Sequence, residues 1–266
     1  MTCLTITAPL HATFVKPNLE SMNIKRFYEY PGPKTWLLSF PTSGNTWTRY
    51  SIEATSGIPT LSNIFAPGEK FLPINCPLGF SFPSLRTDVT KRPIWKVHRP
   101  GEMLTVCQYD TQHDTLILLL RNYKEEVGRY NNPISHKVFQ PYFANLALFD
   151  TWNPDKKIMI LYEDLITNPK ETLTRLLEFL GESTEFVDEF IENIEQHRKE
   201  CLQIYQIQGN NPYSRGSDIL FHSKKLTPQR RKLVDKEVSA SYPNLWKKYL
   251  KDLYSEEVIE SKGLYS

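Results

Sequence analysis

The stretch TWLLSFPTSGNTWTRYSIEATSG (residues 35–57) places an apolar run, a short loop and a helical pattern in direct succession. The loop contains one glycine, Gly44, and the amphipathic pattern over 45–56 stops at Gly57. Such a loop can hold phosphate, because the N–H groups and the dipole of a helix N-terminus favour an anion. It lacks the lysine of the standard Gly-x-x-x-x-Gly-Lys-Ser/Thr loop, however. A plain strand–turn–helix with Ser and Asn caps explains the stretch, taken alone, equally well.

Three further apolar runs predict strands: PIWKV (93–97), TLILLL (115–120) and KIMILY (157–162). Continuous runs of this length are typical of strands that are buried on both faces of a parallel sheet. Helical patterns cover 168–181, with Asn168 as a cap and Pro169 in first position, and 184–196, and a further helix is predicted to begin at Thr227-Pro228.

This alternation predicts the α/β class, as one domain over residues 1–266 with a central parallel sheet flanked by helices and a P-loop-like loop. The segment 58–92 is rich in Pro, Phe and Asn and has no clear period. Long irregular segments inside a domain often serve binding, so we expect 58–92 to form a lid or an acceptor-binding insertion.

The bulk composition excludes several classes of protein. A chain of 266 residues with 40% hydrophobic residues can form a large core, and a net charge of +2 argues against a protein devoted to nucleic acid. The four cysteines are far apart and form no CxxC pair, which indicates neither a metal site nor a disulfide framework. The N-terminus lacks a signal-peptide pattern, and the longest strongly apolar run, 116–120, is too short to span a membrane. We therefore expect a soluble, cytoplasmic protein.

Polar residues follow each of the four predicted strands. Besides the loop after 35–40, Lys96 and His98 lie at the end of the second run, Arg121 follows the third, and Tyr162 ends the fourth. Lys96 and His98 share a strand face, and a buried lysine is costly unless it meets an anion or a carboxylate. Each residue has an ordinary explanation: His98 as a core or surface histidine, Arg121 in an ion pair with, for example, Asp164. Because ligands bind beyond the carboxyl ends of parallel strands, the four ends together predict an anion site.

The motifs at these four ends, in this order, resemble the sulfotransferases that use 3′-phosphoadenosine 5′-phosphosulfate (PAPS), particularly the soluble ones. FPTSGNTW (40–47) is similar to their 5′-phosphosulfate loop, usually Tyr/Phe-Pro-Lys-Ser-Gly-Thr-Thr-Trp, and KVHRP (96–100) to their Lys-x-His-x-Pro segment. LLLRNYKEEVGRY (118–130) resembles their 3′-phosphate segment, and YEDLITNPKETLTRLLEFLG (162–181) their Tyr-Glu-Asp segment with its helix. SRGSD…LTPQ (214–229) is a weaker match to the C-terminal Arg-Lys-Gly loop, and the resemblance covers about residues 35–240.

The resemblance implies a role for each matching residue. It implies His98 as the base that deprotonates the acceptor and Lys96 as the cation that steadies the moving sulfuryl group. The implied nucleotide contacts are Thr42, Ser43, Gly44, Asn45, Thr46 and Trp47 in the loop, Arg121 and Arg129 at the 3′-phosphate, Tyr162, and Arg215 with Gly216. The implied reaction moves a sulfuryl group from PAPS to a hydroxyl or amine of a small-molecule acceptor. It needs no metal, nucleic acid or membrane.

Three positions depart from the family pattern. Thr42 replaces the loop lysine, so a neutral hydrogen bond stands where a charged one is usual, and Lys96 is the first candidate to compensate. Arg129 replaces a serine but can still bind phosphate. The usual dimer motif, Lys-x-x-x-Thr-Val-x-x-x-Glu, is absent from 223–232, which predicts a monomer or a different dimer.

Two alternatives share the sheet and the loop. A small-molecule P-loop kinase normally needs the loop lysine and magnesium ligands, so Thr42 and the position of His98 argue against it. A protein that binds 3′-phosphoadenosine 5′-phosphate (PAP) with weak or lost catalysis is consistent with Thr42. The presence of both Lys96 and His98 argues against it, because binding alone requires no base.

Overall fold

Five parallel strands form one sheet in the computed structural model, which describes residues 32–62, 78, 85–106, 108–135, 137–207 and 226–261. The order across the sheet is β2-β3-β1-β4-β5. The strands are β1 (Thr35–Ser39), β2 (Thr60–Ser62), β3 (Ile94–Val97), β4 (Thr115–Leu120) and β5 (Lys157–Leu161). The α/β class and the central parallel sheet are thereby confirmed.

Helices follow most strands and cover both faces of the sheet. They are α1 (Asn45–Ser56), α2 (Pro100–Val106), α3 (Tyr123–Tyr130), α4 (Gln140–Thr151), α5 (Tyr162–Thr167), α6 (Pro169–Leu180), α7 (Val187–Glu192), α8 (Ile194–Ile207), α9 (Pro228–Ser241), α10 (Pro243–Leu245), α11 (Lys251–Tyr254) and α12 (Glu256–Ser261). Short 3₁₀ turns occupy Lys137–Phe139 and Pro154–Lys156, and a π-helical turn occupies Trp246–Leu250. Within the described ranges, no helix is both long enough and apolar enough to cross a bilayer.

Several predicted element boundaries need correction. Tyr162 is the first residue of α5 and not the last of a strand. The predicted helix over 184–196 is two helices, α7 and α8, separated at Asn193. Asn168 precedes α6 as predicted, but its side chain makes no capping hydrogen bond. Thr227 does cap α9, because its hydroxyl accepts a hydrogen bond from the N–H of Arg230.

Alternating strand residues form two separate apolar clusters, one on each face of the sheet. Trp36 and Leu38 of β1 belong to the cluster beneath α3, α4 and the C-terminal helices, whereas Leu37 belongs to the cluster beneath α1, α6 and α7. The side chains of all three are fully buried. Burial on both faces is why β1, β3 and β4 appear in the sequence as continuous apolar runs.

A buried charge cluster fastens α3 to the C-terminal helices. The ammonium of Lys124 lies 2.9 Å from Asp235 and 3.2 Å from Glu256, and Nε of Arg231 lies 2.5 Å from Glu256. Breaking one partner of a buried pair is costly, so this cluster fixes where α3 stands at the end of β4.

The sheet order places the ligand crevice between β1 and β4. The connection from β1 leads to β2 on one side of the sheet, and the connection from β4 leads to β5 on the other side. Ligands bind at such a topological switch point, beyond the carboxyl ends of the two diverging strands. The residues that follow Ser39 and Leu120 therefore occupy the binding position.

Candidate active site

The loop after β1 has the geometry of an anion cradle. Thr42 and Gly44 have left-handed backbones, with φ of 73° and 86°, which turn the chain from the strand into α1. The first hydrogen bond of α1 runs from the N–H of Thr48 to the oxygen of Gly44, so the N–H groups of 45–47 have no intrahelical acceptor. Among the described residues, the buried hydroxyl of Ser43 also has no hydrogen-bond partner. These donors fit a phosphate or sulfate group.

Tyr162 and Arg121 pack directly against this loop. A Cβ atom on Gly44 would lie 2.0 Å from Cε2 of Tyr162, so the ring of the tyrosine contacts the glycine backbone. The guanidinium carbon of Arg121 lies 4.7 Å from the centre of the same ring. Nη1 of Arg121 donates a hydrogen bond to the oxygen of Thr42 at 3.0 Å. The fold thus brings the ends of β1, β4 and β5 into contact.

We expect Gly44→Ala to lower the free energy of unfolding by about 2 kcal/mol, because it adds a strained backbone and a steric clash with Tyr162. Chemical denaturation measures this loss. Gly101→Ala in α2 is the matched control, since a Cβ atom there meets no described atom within 4 Å. That control should remain within about 1 kcal/mol of the wild type. Equal stability of the two variants would contradict the close contact of Tyr162 with the loop.

Glu126 of α3 lies behind the loop. Oε2 of Glu126 accepts a hydrogen bond from the hydroxyl of Thr42 at 2.5 Å, and that hydroxyl also lies 2.5 Å from the oxygen of Pro41. Burial raises the pKa of Glu126 to about 7, although the nearby charge of Arg121 opposes the shift. The sequence prediction missed Glu126, because the charged run KEEVGR resembles a solvated helix face. Its position in the helix that follows β4 was the available signal.

Arg121 lies among carboxylates. Its side chain is 3% exposed, and Nη2 lies 3.8 Å from Oε2 of Glu125. Burial alone would lower the pKa of Arg121, but the charges of Glu126, Tyr162, Glu125 and Glu163 raise it above its usual value. The guanidinium is therefore held fully charged at the edge of the cradle.

His98 is held from three sides at the end of β3. Its Nδ1 lies 3.1 Å from the oxygen of Ser39, the last residue of β1. A carbonyl can only accept, so Nδ1 carries the hydrogen and Nε2 is the nitrogen that can take a proton. The N–H of His98 donates to Glu102 at 2.7 Å, and the amide of Asn145 donates to the oxygen of His98 at 3.0 Å. These contacts hold the ring next to the last residue of β1, where the loop begins.

Lys96 and His98 both have a lowered pKa. Burial, followed by the charge of Lys96, lowers the pKa of His98 to about 3. Burial, followed by the charge of Arg49, lowers the pKa of Lys96 to about 7, against the opposing effect of Glu102. At neutral pH His98 is therefore neutral and Lys96 is about half charged. A bound anion favours the charged form of both groups.

The remaining predicted nucleotide contacts lie in different surroundings in the fold. Nδ2 of Asn45 donates to the hydroxyl of Ser39 at 2.7 Å, so this side chain braces the loop. Thr46 is buried, and Trp47, only 7% exposed, lies 5.9 Å from the ring of Tyr50 and 5.7 Å from that of Phe190, measured between ring centres. Arg129 is half-buried, and its charge acts on Glu126 and Tyr162. Arg215 and Gly216 lie outside the described residues.

No cluster of three or more His, Cys, Asp or Glu side chains is arranged to hold a metal ion within the described ranges. The sheet and the loop together define an α/β protein with a P-loop-like loop at its topological switch point. Residues 94–253 match the model of the sulfotransferase domain family. The match covers more than half of the 266 residues, and the chain belongs to this family. The matched range includes Lys96, His98, Arg121 and Tyr162 and begins after the loop 40–47.

Relatives of the chain are distant. A WSCD family member from Aedes aegypti is 26% identical over 159 residues, which are 55% of this chain and 50% of the relative. The chain thus spans about half the length of the curated relative that it matches. Mouse sulfotransferase SULT7A1 complexed with PAP shares 16% identity over 91% of this chain and 93% of its own, with a TM-score of 0.47. Retinol dehydratase, in a complex with retinol and PAP, shares 18% identity over 85% and 84%, with a TM-score of 0.43.

Proposed function

We propose that the protein is a PAPS-dependent sulfotransferase that acts on a hydroxyl or amine of a small-molecule acceptor. The observation that carries the proposal is the contact between His98, directly after β3, and Ser39, which places a neutral histidine beside the anion loop. Membership in the sulfotransferase family supports the same reaction class. A kinase site would require neither this histidine nor the buried lysine on the same strand face.

In the proposed reaction, different residues of the chain bind the nucleotide and carry out the transfer. The N–H groups of 45–47 and the hydroxyl of Ser43 would hold the 5′-phosphosulfate, and Arg121 with Arg129 would hold the 3′-phosphate. The nucleotide supplies a sulfuryl group on a good leaving oxygen. His98 takes the proton of the acceptor at Nε2, because Nδ1 is committed to Ser39. Lys96 stabilises the negative charge that develops between the two reacting oxygens.

A two-step experiment tests this proposal. In a thermal-shift assay, PAP should raise the melting temperature of the protein more than ATP with magnesium does, since stabilisation follows the affinity of the folded state for the ligand. Incubation with PAPS and an acceptor library, followed by mass spectrometry, should then reveal a sulfated product. Stabilisation by PAP with no product from any acceptor would favour a PAP-binding protein with weak or lost catalysis. Stronger stabilisation by ATP with magnesium would favour a kinase.

We expect the affinity for PAP to fall as the pH rises from 7 to 8.5. The pKa of Lys96 is about 7 in the free protein, and a bound anion raises it. Binding therefore takes up a proton wherever free Lys96 is neutral, and each coupled proton costs about tenfold in affinity per pH unit. Titration calorimetry between pH 7 and 8.5 avoids the second ionisation of the phosphate groups, near about 6.

Lys96→Met is the matched variant for this measurement, since it keeps an unbranched side chain of nearly the same length without the charge. It should bind PAP more weakly at pH 7 and show a flatter pH dependence than the wild type. An unchanged slope in Lys96→Met would exclude contact between Lys96 and the bound anion.

A further inference from the structure

Thr42 and Glu126 form a polar pair at the position where the 5′-phosphosulfate loop of the PAPS-dependent sulfotransferases has its lysine. The hydroxyl of Thr42 lies 2.5 Å from Oε2 of Glu126, and Glu126 is fully buried. The other carboxylate oxygen, Oε1, is buried and has no hydrogen-bond partner among the described residues. A carboxyl group in this setting gains little from carrying a full negative charge.

The groups around Glu126 come from four elements. Arg121 faces it from the end of β4, Thr42 from the loop, Tyr142 from α4, and Arg129 with Glu125 from its own helix. The two arginines and the hydrogen bond from Thr42 favour the carboxylate, whereas burial and Glu125 favour the neutral acid. Burial outweighs the arginines and raises the pKa of Glu126 to about 7, so both forms are populated at neutral pH.

We propose that Glu126, in its protonated form, and Thr42 are a proton-donating pair that replaces the loop lysine at the 5′-phosphate. The acid O–H of Glu126 donates to Oγ1 of Thr42, and the hydroxyl hydrogen of Thr42, released by Oε2, turns from the oxygen of Pro41 to the phosphate when the nucleotide binds. With Glu126 ionised, the single hydroxyl hydrogen of Thr42 is held by Oε2 instead. Protonation of Glu126 thus determines whether the loop offers a donor to the nucleotide. This inference rests on the proposed function.

The transfer balances with this pair in place. As the bond between sulfur and the leaving oxygen breaks, its electron pair remains on that oxygen. The new bond joins sulfur to the acceptor, whose proton goes to Nε2 of His98. Thr42 passes its proton to the leaving oxygen and takes the acid proton of Glu126, which is left as a carboxylate. After the products leave, His98 releases the proton of the acceptor to solvent and Glu126 takes up one proton from solvent. The neutral acid carries no positive charge; it supplies a proton to the leaving oxygen, where the lysine of the family's loop supplies a charged hydrogen bond.

The free protein provides a first readout that requires no ligand. The pKa of Glu126 is raised above its unfolded value, so the folded state binds more protons and loses stability as the pH rises from about 4.5 to 7. Glu126→Gln removes this loss. The difference in melting temperature, Glu126→Gln minus wild type, should therefore be more positive at pH 8 than at pH 5. A constant difference across this range would overturn the inference.

The second readout is the number of protons taken up with PAP. Titration calorimetry at pH 8, in two buffers with different ionisation enthalpies, measures this number. Wild type should take up more protons than Glu126→Gln, and adenosine 3′-phosphate, which lacks the 5′-phosphate, should show no such difference. Thr42→Val, which keeps the branched shape and removes the hydroxyl, should behave as Glu126→Gln does. Equal proton uptake by wild type and both variants would overturn the pair.

Kinetics separates this inference from the proposed function. Glu126→Gln should lower kcat by about 10²-fold, and Thr42→Lys in the same background should restore it to within about tenfold of wild type. If the wild type forms product and Glu126→Gln turns over at the same rate, the role of the pair is overturned and the proposed sulfotransferase function stands. A wild type that never forms product but shows the proton difference with PAP would overturn the sulfotransferase and retain the pair.

Discussion

Replacing His98 with alanine should lower the rate of sulfuryl transfer by about 10²–10⁴-fold, the usual contribution of a general base. The affinity for PAP should change by less than about threefold, because the base acts on the acceptor and not on the nucleotide. Single-turnover transfer and calorimetry with PAP measure the two quantities separately.

His98→Asn is the informative partner of this variant. The asparagine amide can donate to the oxygen of Ser39 as Nδ1 does, but it offers no basic nitrogen in place of Nε2. Both variants should be equally slow if the ring acts as the base. Near-normal turnover of His98→Asn would reduce the role of His98 to a structural link between β1 and β3.

Replacing Arg121 with alanine should weaken the binding of PAP far more than the binding of adenosine 5′-phosphate, which lacks the 3′-phosphate. A charge-assisted hydrogen bond to phosphate in a buried site contributes about 3 kcal/mol, or roughly 100-fold in affinity. Competition binding with the two nucleotides measures the ratio. Equal losses for both would remove Arg121 from the 3′-phosphate site.

The substitution also removes a cation from a buried acidic cluster. Loss of one partner of a buried pair costs about 3 kcal/mol, so Arg121→Ala needs a folding check by circular dichroism. Arg121→Lys keeps the charge next to Glu125 and Glu126 and loses the planar fork. It should fold as the wild type does and lose only part of its preference for the 3′-phosphorylated nucleotide.

The sheet could be predicted from the sequence because β1, β3 and β4 are buried on both faces and the half-buried edge strand β5 is still a continuous apolar run. A run such as TLILLL over 115–120 leaves no alternative to a buried element, and its length excludes most helices. The three-residue strand β2 could not be found this way. It consists of Thr60, Leu61 and Ser62, which carry no periodic signal, and its pairing with β3 makes it a strand.

The site was predictable to the extent that it depends on strand ends. Lys96, His98, Arg121 and Tyr162 follow from the rule that parallel strands deliver ligand-binding groups at their carboxyl ends. The orientation of His98 depends on the oxygen of Ser39, 59 positions earlier in the chain, which no local pattern reveals. Glu126 was missed for the same reason, since its burial depends on how α3 packs against the loop.

The contact between Gly44 and Tyr162 has an evolutionary consequence. The ring lies where any side chain on the glycine would have to stand. Neither residue can be substituted independently. A larger residue at position 44 requires a smaller one at position 162, and the aromatic ring of Tyr162 requires glycine at position 44. Among descendants of a common ancestor, these two positions should therefore covary, even in chains whose loop has lost its lysine.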